Sequence, residues 1–92
     1  MQVSVRYMAQ LRTATGAAAE TLDVEGSCTA AELVAQVAAR HGEALRRLLF
    51  GADGRLHPAI LVFVGDTQAG VDERLPLNDG DVVTLLSPIA GG

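Results

Sequence analysis

The chain opens on strict alternation. In QVSVRY, Val3, Val5 and Tyr7 fall on one side and Gln2, Ser4 and Arg6 on the other, the period of a half-buried strand. ETLDVE alternates again, with Leu22 and Val24 inward, and two such neighbouring runs predict a hairpin. Between them, AQLRTATG leads through a turn or short helix to Gly16. TAAELVAQVAARHG changes the period: Ala30, Leu33, Val34, Val37, Ala38 and His41 fall on one helical face. Thr29 and Glu32 have the spacing of a capping box, and Gly42 supplies the stop. EALRRLLF predicts a second, shorter helix whose Leu45, Leu48 and Leu49 continue the core, and GADGRLHP is a loop. AILVFV is continuously apolar, too short for a helix and rich in strand formers. Gly65–Asp66 turns into a short edge segment, NDGD marks a tight turn, VVTLL is a last strand and SPIAGG a tail.

This order of elements predicts an α+β roll: a mixed sheet of about five strands, with one main helix and a short second helix. A right-handed crossover through the main helix places a later strand parallel to the first. Residues 1–86 form the domain and 87–92 a flexible tail. With helix on one face only, the other should alternate to polar residues. AILVFV does not alternate, and Thr84 is the only polar residue of VVTLL. Placing Thr84 outward puts Val82 and Leu86 on the open face, with Val83 and Leu85 toward the helix. Such a face is a docking surface, incidental exposure of central strands, or ground covered by the second helix.

Composition narrows the function classes. The 92 residues, 49% hydrophobic and 20% charged, suit one globular domain with a modest core. The net charge is −4, and all seven basic residues are Arg. An acidic chain without a basic stripe argues against nucleic acid and anionic membrane as partners. A single Cys excludes an internal disulfide framework and a Cys-rich zinc site. The alternating N-terminus lacks a leader pattern, and the longest apolar run, Ala59 to Val64, is far short of the ~20 residues of a spanning helix. A cytoplasmic protein is expected.

The side chains assemble no active site. Cys28 precedes a helix N-terminus, where a thiol can be activated, but a small buried residue is the expected role. His41 complements the end of its helix, and His57 lies in a loop before Pro58. Neither has a ligand at metal spacing, so no metal site is expected. Asp79 and Asp81 flank a turn glycine as turn formers. GADGR lacks the length and the Lys of a phosphate loop. Attention moves to the tail, where Gly91 and Gly92 leave a terminal carboxylate sterically bare on a permissive backbone. Such an end can thread a narrow channel; a chance glycine pair is the alternative.

A strand-first roll with NDGDVVTLL followed by SPIAGG resembles, over the whole chain, the MoaD/ThiS family of sulfur carriers, which share the ubiquitin-like β-grasp fold. YMAQLRTATG is similar to the MoaD branch, with its Ala-Gln-x-Arg turn at Ala9, Gln10, Leu11 and Arg12. The resemblance implies that an ATP-dependent adenylating enzyme of MoeB/ThiF type activates Gly92, which then becomes a thiocarboxylate and donates sulfur. In the MoaD branch the carrier is the small subunit of molybdopterin synthase, its tail inside a MoaE-like large subunit. Carried onto this chain, Gly92 bears the sulfur, Gly91, Ala90, Ile89 and Pro88 thread the partner, and Leu86 and Arg12 dock. The chain is then no enzyme by itself and binds no cofactor, ATP being used by the activating enzyme. MoaD tails commonly carry Pro-Pro where this chain has Ser87–Pro88, and IAGG is as close to carriers serving thiamine or cysteine synthesis. Carriers for tRNA thiolation, a ubiquitin-like modifier attached through Gly92, and a plain binding domain are the other readings.

Overall fold

The structure is a computed structural model, and it describes residues 1–69 and 76–87. The elements run β1 (Gln2–Met8), α1 (Gln10–Thr15), β2 (Ala19–Asp23), α2 (Ala30–His41), α3 (Glu43–Leu49), β3 (Leu61–Val64), β4 (Thr67–Ala69) and β5 (Val82–Leu86). The strands form one mixed sheet in the order β2-β1-β5-β3-β4. Its centre is the parallel pair β1–β5, with β2, β3 and β4 added antiparallel. This is the expected α+β roll with the crossover through α2. The described residues hold three helices: the main helix α2, the short second helix α3, and α1, where a turn or short helix was expected, a six-residue piece anchored by buried Leu11.

Each element forms for a local reason. Val3, Val5 and Tyr7 are fully buried while their β1 neighbours are not, so the alternation read from the sequence is the strand's in-and-out pattern. Thr29 Oγ1 accepts the Glu32 N–H at 3.2 Å, and Glu32 Oε1 accepts the Thr29 N–H at 3.0 Å. That completes the capping box at α2. α2 buries Ala30, Leu33, Val34, Val37 and Ala38 against the sheet, and α3 adds Leu45 and Leu49 to the same core. Burial of each large aliphatic side chain contributes roughly 1.5–3 kcal/mol before entropy is counted.

The NDGD turn fixes where β5 begins. Asp79 Oδ1 accepts the Gln2 N–H at 2.7 Å, and the Gly80 N–H donates to Gln2 O at 2.8 Å. Asp81 O accepts the Ser4 N–H at 3.0 Å, while its carboxylate accepts the Asn78 N–H at 2.8 Å. Gly80 holds φ at 86°, which a side chain would strain. Both aspartates thus serve the turn, and through it the register of β1 against β5.

Candidate functional site on the open sheet face

The helices among the described residues bury their apolar side chains in the same core as Val3, Val5, Tyr7, Val83 and Leu85, which puts them on one side of the sheet. Val83 and Leu85 are fully buried, Val82 is 38% exposed, and Thr84 and Leu86 are half-buried. The facing read from Thr84 therefore holds. The cross-strand register then arranges the open face in rows. Met8, Leu86 and Leu61 stand side by side across β1, β5 and β3. Arg6, Thr84 and Phe63 form the next row, and Ser4 and Val82 the one after. Leu61 and Phe63 belong to this face because Val62 between them is buried. Met8 at 43% and Val82 at 38% are the exposed large apolar residues among those described.

The apolar row sits at the root of the tail. β1 and β5 run parallel and end together at Met8 and Leu86, so the chain leaves the sheet beside Met8. α1 begins at the same end, one residue after Ala9, which brings Arg12, exposed, to the edge from which the tail departs. Leu86 and Arg12 are thus brought to one end of the sheet. Pro88, Ile89, Ala90, Gly91 and Gly92 lie outside the described residues. Ser87, grouped with the tail on sequence grounds, is buried, and its Oγ finds no partner among the described residues.

Ala9 makes the corner between β1 and α1. Its φ of 55° and ψ of −128° make it the only non-glycine residue with positive φ among those described. That region is strongly disfavoured for a residue with a Cβ, and occupying it stores strain. The corner turns the chain sharply after Met8, so α1 leaves the open face clear.

The other singled-out residues lie elsewhere. Cys28 is buried against the core, and burial first, with Glu32 second, pushes its thiol up from the ordinary range. A raised, buried thiol is the inert kind. His41 does more than face its helix end. Its Nε2 lies 3.1 Å from both Glu20 oxygens and 3.5 Å from Tyr7 Oη, with the rings edge-on at 5.7 Å. Tyr7 donates to Glu20 Oε1 at 3.0 Å. Burial above all, then that hydrogen bond, holds the Tyr7 hydroxyl protonated well beyond the usual phenol range. This cluster clamps β2 to α2 on the helical side. Among the described residues no group of His, Cys, Asp and Glu could hold a metal ion, and no helix is long and apolar enough to cross a membrane.

Residues 5–92 match the ThiS family. The chain belongs to the ThiS family. SAMP1 from Haloferax volcanii is similar at 26% identity over the whole of both chains, with a TM-score of 0.89. A putative molybdopterin converting factor subunit 1 from Pyrococcus furiosus is 25% identical over 97% of this chain and 99% of its own, with a TM-score of 0.76. A chain of the BexX/CysO complex from Amycolatopsis orientalis is 31% identical over 98% of this chain and 99% of its own, with a TM-score of 0.67. No curated protein matches the chain. The fold is the ubiquitin-like β-grasp, and the ThiS-family chain is of the ubiquitin-like sulfur-carrier and modifier kind, whose small members are generally not enzymes by themselves.

Proposed function

We propose that this ThiS-family chain is a sulfur carrier working through the carboxylate of Gly92, and that it serves molybdopterin synthesis as the small subunit of a synthase. The observation that carries the reading is the Met8–Leu86–Leu61 strip at the root of the Gly-Gly segment. It is a surface that a partner can hold while it takes in Pro88 to Gly92. In the first step a Gly92 carboxylate oxygen attacks the α-phosphorus of ATP on a MoeB/ThiF-like enzyme, and pyrophosphate leaves. In the second a hydrosulfide-type nucleophile attacks the acyl carbon and AMP leaves, so the C–O bond to phosphate is exchanged for C–S. The resulting thiocarboxylate is carried into a MoaE-like acceptor. This chain's own part is to dock, to aim and to supply a backbone thin enough to thread. The Ala9–Arg12 turn favours the molybdopterin branch.

A second reading, a protein modifier joined through Gly92 to lysines of other proteins, is favoured by the full-length similarity to SAMP1. Intact mass after incubation with the adenylating enzyme, ATP and a sulfide donor separates the two. Exchange of one oxygen for sulfur supports the carrier, adducts of whole proteins support the modifier, and an unchanged mass overturns both.

A further inference from the structure

Among the described residues, the open face carries a single cation in its middle. Arg6 stands in the second row, between Met8 and Ser4 along β1 and beside Thr84 and Phe63 across the sheet. Ion pairs among the described residues engage Arg40, His41, Arg46 and Arg47, and none engages Arg6. The acidic residues of the neighbouring strand do not reach it. Glu20 is turned to the helical side, on Tyr7 and His41. Asp23 shares the open face but pairs with Gln2, four residues along β1 from Arg6, or roughly 13 Å.

The geometry of the patch leaves a partner no way around this side chain. Three strands at about 4.8 Å spacing and three rows at about 6.6 Å make a patch of roughly 10 by 13 Å. That is well inside the roughly 800 Å² that one partner covers in an ordinary protein interface. A protein seated on Met8, Leu86, Leu61 and Phe63 therefore also covers Arg6. A guanidinium stripped of water without a counter-charge is strongly unfavourable, whereas one met by a carboxylate in a two-pronged bond is strong and directional.

We propose that Arg6 selects the partner of this face: a protein surface that is apolar opposite Met8, Leu86, Leu61 and Phe63 and presents a carboxylate to the Arg6 guanidinium. The inference rests on the docking role given to the open face above. It also runs against the whole-chain charge. At −4 the chain would be matched by a basic partner, but at the centre of this face the partner must be acidic.

The test is binding to the MoeB/ThiF-like adenylating enzyme of the same organism, measured by calorimetry at low and high salt. Wild type is compared with Arg6→Met, Arg6→Glu and Leu86→Asp. Arg6 is exposed, so its variants should fold, which circular dichroism checks. Arg6→Met should weaken binding about thirtyfold or more, since it leaves a buried partner carboxylate unpaired. Arg6→Glu should weaken it further, and the salt dependence of wild type should shrink in Arg6→Met. If Arg6→Met binds like wild type while Leu86→Asp does not bind, Arg6 faces solvent and the proposal is overturned with the docking face intact. If Leu86→Asp also binds like wild type, the docking face itself fails and the Arg6 proposal with it.

Discussion

Leu86, the last residue of β5, lies directly beside Met8, the last residue of β1, on the face of the sheet away from α1, α2 and α3. The parallel pairing joins two consequences. It makes an apolar row with Leu61, and it sets that row where the chain leaves the sheet. Leu86→Asp should therefore abolish or strongly weaken binding of the adenylating enzyme, while unfolding free energy changes by less than about 1 kcal/mol, as at other partly exposed positions. Leu85→Ala, one residue earlier and fully buried, should do the reverse and cost about 2–5 kcal/mol of stability. Denaturant melts beside binding isotherms check the pair; equal destabilisation by both would invert the faces.

The register itself is held by Asp79. Asp79→Ala removes the acceptor for the Gln2 N–H and should lower stability by about 1 kcal/mol. Asp79→Asn keeps an acceptor and should restore most of it. Urea unfolding of the two variants decides, and an Asp79→Ala protein as stable as wild type would remove the turn from the account.

How much of this was legible in the sequence depended on the length of each pattern. β1, α2 and β5 span enough residues for alternation or helical spacing to show, and the Thr29–Glu32 box marked the start of α2 to the residue. Thr84 alone oriented β5, because a single polar residue among apolar ones must take the wetter side. α1 could be read only as a turn or short helix because six residues with one buried side chain, Leu11, carry no period. Leu61, Phe63 and Met8 were missed as individual site residues. The apolar run AILVFV signalled a two-sided strand, but their convergence with Leu86 exists only in the cross-strand register. Arg6 looked like an ordinary outward residue for the same reason.

Ala9 carries strain that glycine would relieve. At φ 55° and ψ −128°, Ala9→Gly exchanges a strained backbone of order 1–3 kcal/mol for the added freedom of an unfolded glycine, about 0.5–1 kcal/mol. Stabilisation by about 1 kcal/mol is expected, or a melting temperature higher by roughly 4–8 °C for a domain of this size. A lowered melting temperature would mean that the corner is relaxed as it stands.

Stability should fall at high pH through Tyr7. Its hydroxyl is raised in the folded protein, by burial first and by Glu20 second, so the unfolded chain loses this proton first. The stabilisation is fully present below the ordinary phenol value near 10 and is lost as pH rises from there toward the folded value. With one Tyr and no Lys in the chain, the other group that loses stabilisation at high pH is the raised Cys28 thiol, so the comparison is made in a Cys28→Ala background. Tyr7→Phe should flatten the decline in unfolding free energy above pH 10, and an unchanged slope would contradict the assignment.

The central claim is that Gly92 carries the sulfur, and deleting that residue tests it most directly. The shortened chain ends about 3.3–3.6 Å early, and a misplacement of even about 1 Å can cost on the order of a hundredfold in rate. The measurement is the intact mass of wild type and of the variant lacking Gly92 after incubation with adenylating enzyme, ATP and sulfide donor. Circular dichroism checks that both are folded. Wild type should gain the mass of one oxygen exchanged for sulfur and the shortened chain should not; a folded, shortened chain that is thiocarboxylated as fast as wild type would contradict the account.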